Sequence, residues 1–415
     1  MVQVVQARLD AQFGLDVPTV HDAPALSPAA LPADIRLSVH EDLAAVEQDW
    51  RTFEKHADCT VFQSFDYLST WQRHIGARNG SKPAIVMGRD GAGQILFLLP
   101  LVIRAAGIAR ELTWLGAELC DYNAPLLATD FSEKIDRAQF MALWDNITQH
   151  LQFDFINLTK MPELVGGQQN PMRDLAVTVN PSGAYLTHLA GDWESFYAAK
   201  RSSSTRRRDR TKRKRLSEFG EIKLFNPANE TETLSTLDIL MRQKTRSFAR
   251  MGVGNIFARP GYAEFYRALA TDPATKPLVH VSRLDVGATP AAVNLGLTYR
   301  GCYYHLLASY DDGEVSRFGP GAAHLHDLLQ QAIARGFRVF DFTIGDERYK
   351  RDWCDTEIKL YDYIEAATWR GALVAMPMIA RQRLKRWIKQ TPALWTAFSA
   401  GRAFVGSLTR LFRLG

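Results

Sequence analysis

The sequence predicts a mixed α/β protein in which one unit of strands and helices occurs twice. Three observations lead there. From about Ile35 onward, helical and strand periodicities alternate. A Lys-Pro dipeptide followed by strand, glycine-containing turn and strand starts at Ser81 (SKPAIVMGRDGAGQILFLLPL) and again at Thr275 (TKPLVHVSRLDVGATPAAVNLGL), an offset of 194. An amphipathic helix joined to a short apolar strand also occurs twice. One copy ends in Phe153-Asp154-Phe155 and the other in Phe340-Asp341-Phe342, an offset of 187. Two matches in the same order are what duplication of one domain leaves behind.

Residues 1–34, rich in Ala, Pro and Asp, read as a flexible lead-in without a secretory signal. A first domain is expected over 35–185, a basic helical connector over 186–220, a second domain over 221–368 and a basic amphipathic tail over 369–415. In the first domain DLAAVEQDWRTFEKH and FDYLSTWQRHIG read as helices. PAIVMGRDGAGQILFLLPLVIR reads as a hairpin with Asp90-Gly91 at its turn. Its run ILFLLPLVI is the longest apolar stretch and falls short of the ~20 residues that span a bilayer. In the second domain CYYHLLASYD reads as a strand, and Leu325, Leu328, Leu329, Ala332 and Ile333 repeat at helical spacing.

Between that strand and helix lies Gly319-Pro320-Gly321. Glycine lets a ligand approach the main chain, and proline suits the first helical turn, where an N–H has no internal partner. Unpaired N–H groups and the helix dipole favour an anion such as pyrophosphate. From the tripeptide alone a plain tight turn is the favoured reading. The pattern is neither G-x-G-x-x-G nor a Walker loop. The first copy has GAELCDYNAPLLATDFSEK at this point and no such turn, so a phosphorylated ligand is expected in the second copy alone.

Composition narrows the class. With 46% hydrophobic and 23% charged residues the chain reads as an ordinary soluble protein. Four scattered cysteines without a C-x-x-C pair argue against zinc or a disulfide framework and suit a reducing cytosol. His324 and His326, two apart on a helix, diverge and do not suggest a metal site. The net charge of +5 is unevenly spread. Residues 200–215 hold ten Lys/Arg and one Asp, for +9, and residues 369–415 hold nine Lys/Arg and no acid, again +9. Subtracting both leaves −13 on the remainder.

The order strand, Ser316-Arg317-Phe318-Gly319-Pro320-Gly321, helix, strand, FDFTIGDERYKRDW resembles the acetyltransferases of the CelD/BcsL type associated with cellulose biosynthesis, within the GNAT superfamily. VFQSFDYLSTW and CDYNAPLL add to the resemblance, which spans about residues 40–365. The plan is similar to FemAB/FemX aminoacyltransferases, which contain two GNAT-like units in tandem. The resemblance implies two tandem GNAT-like mixed-sheet domains and acyl transfer from acyl-CoA, or from an acyl carrier protein, to an amine or hydroxyl acceptor. It implies no permanently bound cofactor. Ser316 stands where the family's pyrophosphate loop usually has Gln or Arg. Arg317, Gly319, Gly321 and Ala322 complete the expected cofactor-binding set.

For catalysis, His305 is either a base or a core histidine, and Asp341 is either poised beside a ligand or structural. Lys350, similar in setting to the lysine of the Fem enzymes' F-K-x-x-F segment, is expected to stabilise developing negative charge, and Tyr349 to protonate the thiolate. Phe62, Tyr67, Trp71, Asp121 and Tyr122 match family positions and are expected to line an acceptor cleft.

The basic helix at 200–215 could meet nucleic acid, an anionic carrier, lipid headgroups or solvent alone. In the tail, Ala380, Leu384, Trp387 and Ile388 share one face, continued by Leu394, Phe398, Gly401, Val405, Leu408 and Phe412. Such an interfacial pattern favours an anionic inner-membrane surface over nucleic acid. The expected function is therefore acyl-CoA-dependent acylation, N-acylation first, of an envelope lipid or glycan precursor, such as a sphingoid-type long-chain amine or an exopolysaccharide precursor. Aminoacyl transfer from tRNA to a peptidoglycan precursor and a non-catalytic scaffold for a membrane synthase are the alternatives.

Overall fold

The computed structural model describes residues 35–390, so the lead-in expected over 1–34 and the tail stripe from Leu394 onward lie outside the described residues. The first half runs β1 (Arg36–His40), α1 (Glu47–Glu54), α2 (Phe65–Trp71), β2 (Lys82–Arg89), β3 (Ile95–Ala106), β4 (Ala109–Trp114), α3 (Arg137–His150), β5 (Phe155–Pro162) and β6 (Thr178–Val179). The second runs β7 (Ala184–His188), α4 (Trp193–Lys200), α5 (Ser203–Ser217), β8 (Ile222–Phe225), α6 (Glu230–Met251), α7 (Tyr262–Thr271), β9 (Val279–Val286), β10 (Thr289–Tyr299), β11 (Cys302–Tyr310), α8 (Pro320–Ala334), β12 (Val339–Ile344), β13 (Thr356–Ile358), β14 (Leu360–Ala366) and α9 (Trp369–Gln390).

The duplicated plan appears in both sheets. The first has the order β1-β2-β3-β4-β5-β14-β6, with Leu126–Leu127 paired to β3, and the second β8-β9-β10-β11-β12-β7-β13. In each, antiparallel strands lead through a helix to a parallel neighbour, β4–α3–β5 and β11–α8–β12. The hairpin expected around Asp90 forms, but its loop is longer than two residues. Asp90 N–H donates to the Gln94 carbonyl, and the Asp90 carboxylate accepts from Ala92 and Gln94.

The chain returns to the first sheet near its end. β14, within the segment expected as second domain, pairs with β5 on one side and β6 on the other. β13 pairs with β7, and the boundary expected at 185/186 falls inside β7. Residues 178–188 and 356–366 therefore run antiparallel to one another across both sheets.

Alternation explains the layers. Ile85 and Met87 of β2 face a core shared by the two halves, into which α2 sends Tyr67, Leu68 and Trp71, α6 Leu237 and Leu240, and α7 Phe265 and Leu269. The second sheet contributes Val281, Val293 and Leu295 to it. Ala84 and Val86 point the other way, onto Phe140, Leu143 and Trp144 of α3. Tyr303, Phe340 and Phe342 cover Leu325, Leu328 and Leu329 of α8. Each such side chain contributes about 1.5–3 kcal/mol on burial. The shared core is therefore the main bond between the halves.

α9 packs back onto the first sheet, with Ala375 buried against Ala109 and Phe155. Its first turn approaches Asp154, whose carbonyl accepts from Ala367 and Thr368 N–H and whose carboxylate accepts from the Arg110 N–H and the Thr368 hydroxyl. A Cβ on Gly371 would lie 1.8 Å from the Asp154 carbonyl oxygen. Gly371→Ala should therefore cost about 1–3 kcal/mol of stability, the usual range for overpacking. It should be read as a lowered urea midpoint with unchanged slope.

Candidate active site

β11 runs into a tight turn over Glu314–Phe318, and Gly319, at φ 70°, starts α8. Pro320 brings no N–H. The Ala322 and Ala323 N–H groups both turn back to the Gly319 carbonyl at 3.1 Å. The Gly321 N–H occupies the second helical position, where no intrahelical acceptor exists. Ser316 and Arg317 lie in the turn itself. Ser316 O accepts from Gly319 N–H, and the Arg317 guanidinium sits 4.9 Å over the Phe318 ring. Ala322 is exposed.

The basic connector flanks this turn. α5 buries Leu216 among Val315 and Val286, with Phe318 and Ala323 packed alongside, and Arg213 grips Asp327 of α8 with two bonds of 2.9 and 3.0 Å. Just before α5, Arg201 pairs with Asp352 at 3.1 Å and stacks on Trp353. Arg207, Arg208, Arg210, Lys212, Lys214 and Arg215 remain exposed. The basic run is thus part of the site's wall. Leu216, the one apolar residue at its end, was the sequence signal for that.

Below the turn, β11 and β12 pair only over Cys302–Tyr304 and Val339–Asp341. Three steps of β11 from Tyr304 to Leu307 oppose two steps of β10, so a bulge occupies His305–Leu306. Beyond it the facing backbone groups lack ladder partners and suit an extended, amide-bearing ligand. In the first half, side chains close the equivalent gap. The Thr113 hydroxyl donates to the Asn157 carbonyl at 2.7 Å, and the Asn157 amide to Glu111 at 2.6 Å. In the second half the Thr343 hydroxyl reaches the His305 carbonyl only at 3.5 Å.

Groups from both halves meet at the base of this opening. The Tyr122 hydroxyl donates to the Asp341 carboxylate, 2.8 and 2.9 Å from its two oxygens, and the Thr343 N–H adds a third contact at 2.7 Å. Asp341 is only 4% exposed, and burial raises its carboxyl to about 7 against the pull of Thr343, Tyr122 and Lys350. Asp121, half-buried, is also raised by burial, with Lys160, Thr343 and Lys350 opposing.

Lys350, in the short helical turn Arg348–Arg351, is 3% exposed. Its ammonium donates to the carbonyls of Ile344 at 2.8 Å and Thr343 at 3.3 Å and pairs with Glu347 at 3.1 Å. The ammonium is thus held inside the fold and not in solvent. The carbonyls steady Thr343, which holds φ 58°.

Other expected residues fall elsewhere. His305 is buried beside Phe340 and Phe342, and burial first, then Lys350, lowers it to about 3. A histidine so hard to protonate is a poor proton acceptor near neutral pH, which removes the motive for the base reading. Tyr349 stands half-open, 38% exposed, with its ring 6.3 Å from Phe342. Phe62, Tyr67 and Trp71, expected on a cleft wall, are fully buried in the shared core. There Phe62 meets Tyr122 and Tyr304 edge-on, and Tyr67 donates to the Leu119 carbonyl. They position the loop that carries Asp121 and Tyr122. His324 bonds Ser282 beneath α8, whereas His326 packs on Trp193.

Sequence reasoning missed two lysines. Lys160, at φ 58°, clamps the carbonyls of Ala117 and Cys120 at 2.8 and 2.6 Å and so fixes the loop ahead of Asp121. Its charge inside the apolar strand FINLTKMP was the available sign. Lys244 of α6 is half-buried, and burial, then Lys350, lowers its ammonium while Glu347 opposes.

Residues 203–351 match the acetyltransferase (GNAT) domain family. No curated protein matches the chain by sequence. Among solved structures, FemX superposes with a TM-score of 0.54 at 11% identity, over 80% of this chain and 97% of its own. A conserved protein of unknown function from Bacteroides thetaiotaomicron gives 0.50 at 13%, over 79% and 99%. A tandem GNAT protein from the clavulanic acid biosynthesis pathway aligns over 80% and 99% at 11% identity, with a TM-score of 0.43. The matched residues lie in the second of two similarly built mixed-sheet units, and the likeness of fold to FemX extends over both.

The Tyr122–Asp341 pair has a signature. A carboxyl raised to about 7 keeps its proton in the folded state between its unfolded value, about 4, and 7. Stability should therefore fall as pH rises through that window. Tyr122→Phe removes bonds that favour the charged form, so Asp341 should titrate still higher. The loss of stability should reach about 1–3 kcal/mol above the new pKa and be smaller near pH 5. Equal losses at both pH values in denaturant titrations would contradict the pairing.

Proposed function

We propose that the protein transfers an acyl group from acyl-CoA to an amine, or less readily a hydroxyl, at the seam between its halves. One observation carries the reading: a helix N-terminus with a glycine turn, a splayed parallel strand pair, and a near-neutral carboxylate reached from the other half all converge in the second unit. Pyrophosphate would lie on the Gly321 N–H and the α8 dipole, and the amide-bearing arm along the unpaired edges of β11 and β12. The acceptor nitrogen attacks the thioester carbonyl carbon, the carbon–sulfur bond breaks, and the nitrogen's proton passes to Asp341. Tyr349, at the open side, returns a proton to the thiolate. Lys350 offers the nascent oxyanion its third donor. The bond to Glu347 is the exchangeable one, since that carboxylate side chain is 58% exposed.

The acceptor enters from the side of Asp121 and Tyr122. Within this reading it is an envelope lipid or glycan precursor, with a long-chain amine or an exopolysaccharide precursor as candidates. The latter would suit kinship with the cellulose-associated CelD/BcsL type.

Two substitutions test the scheme. A Cβ on Gly321 would meet only Tyr310, at 3.5 Å, so Gly321→Val should fold normally. It should weaken CoA binding by about 1–3 kcal/mol through the blocked N–H, and unchanged calorimetric affinity would remove the cradle. Lys350→Ala should lower kcat by about 100-fold at nearly constant CoA affinity. A change confined to KM would make it a binding residue instead.

A further inference from the structure

We infer that α9 is a docking face for an anionic lipid bilayer. The proposal rests on the geometry of this helix and does not depend on the acyl-transfer reading. At 100° per residue, Trp369, Leu373, Met376, Ala380, Leu384 and Trp387 fall within an arc of about 80°. Gly371, Ala375 and Met378 lie on the opposite side, where the helix packs on the first sheet. The stripe is therefore turned away from the protein, and its ends are open: Trp369 is 69% and Trp387 59% exposed. Helices normally bury such a stripe, and this one already has a different buried face.

Charge complementarity selects the partner. Exposed Arg383 lies on one side of the stripe and exposed Arg370 and Arg381 on the other, and after Glu365 the chain has no acidic residue. An apolar line with tryptophan at both ends, about 27 Å apart along an ideal helix axis and with Pro377 between them, matches a plane of anionic headgroups over acyl chains. No helix among the described residues is long and apolar enough to cross a membrane, so α9 lies on the surface and does not span it.

The docking face belongs to the half that supplies Asp121 and Tyr122. Gln382 of α9 donates to the Asp362 carboxylate at 3.2 Å, which accepts from Lys160 N–H at 2.9 Å. The Lys160 ammonium in turn holds the loop ahead of Asp121. Membrane contact would thus bear on the first half's side of the seam.

The test is cosedimentation of the full-length protein with phosphatidylglycerol-containing vesicles and with phosphatidylcholine vesicles. Wild type should pellet with the first and weakly with the second, and raised salt should release only part of it. The triple variant Trp369→Glu, Leu373→Glu, Trp387→Glu alters solvent-facing positions and should keep the wild-type unfolding curve while binding about tenfold or more weakly. Arg370→Glu with Arg381→Glu and Arg383→Glu should erase the preference for anionic vesicles. Wild-type binding by the triple apolar variant would overturn the proposal, since another segment would then be the anchor. A wild-type dimer that the same variant converts to monomer, without vesicle binding, would assign the stripe to a second copy. Loss of thermal stability in that variant with no wild-type vesicle binding would assign it to residues 391–415.

Discussion

A carboxylate with almost no access to water is the point around which the two halves are arranged. Left unpaired, the Asp341 charge would cost several kcal/mol, so its surroundings must supply donors. They come from opposite directions, the Tyr122 hydroxyl from the first half and the Thr343 N–H from the second. Each supplier is itself fixed. Lys160 and the buried Phe62 hold the loop bearing Tyr122, while Lys350 holds the left-handed turn at Thr343. The supports leave the group near neutrality, where it can both take and release a proton.

The two halves, alike in plan, part ways at two aspartates. Asp154 and Asp341 occupy corresponding places after corresponding helices. Asp154 ties Arg110 to the turn before α9 and closes a structural corner. Asp341 faces across the seam. The strand pair beside Asp154 is bridged by Thr113 and Asn157, whereas the pair beside Asp341 is left open.

Much of this was legible in the chain. The two helix–strand repeats disclosed the doubled fold, because periodicity is set locally by which faces must be buried. The glycine turn disclosed the helix N-terminus, because Gly319 needs a left-handed backbone there. Asp341 stood out as a charge in an apolar strand, and Lys350 as a lysine between the aromatics of ERYKRDW. What stayed hidden depends on contacts distant in sequence. LYDYIEA alternates as any strand does, and nothing in it says which sheet it will join. Phe62, Tyr67 and Trp71 look alike as cleft or core, and the shared core decided it. His305 has an ordinary titration range in water, and only its burial takes that away.

The late return of β14 has a consequence for synthesis. The ribosome releases β5 about 200 residues before β14, so at the usual elongation rate of about 5–20 residues per second the edge of β5 waits some ten to forty seconds for its neighbour. Throughout that interval an apolar strand offers an unpaired ladder to any other nascent chain. The second sheet meets a similar delay, since β7 emerges about 150–170 residues before β12 and β13, the strands on either side of it. Both sheets are therefore completed by one late segment, β13 and β14, and the seam can form only after that segment has emerged.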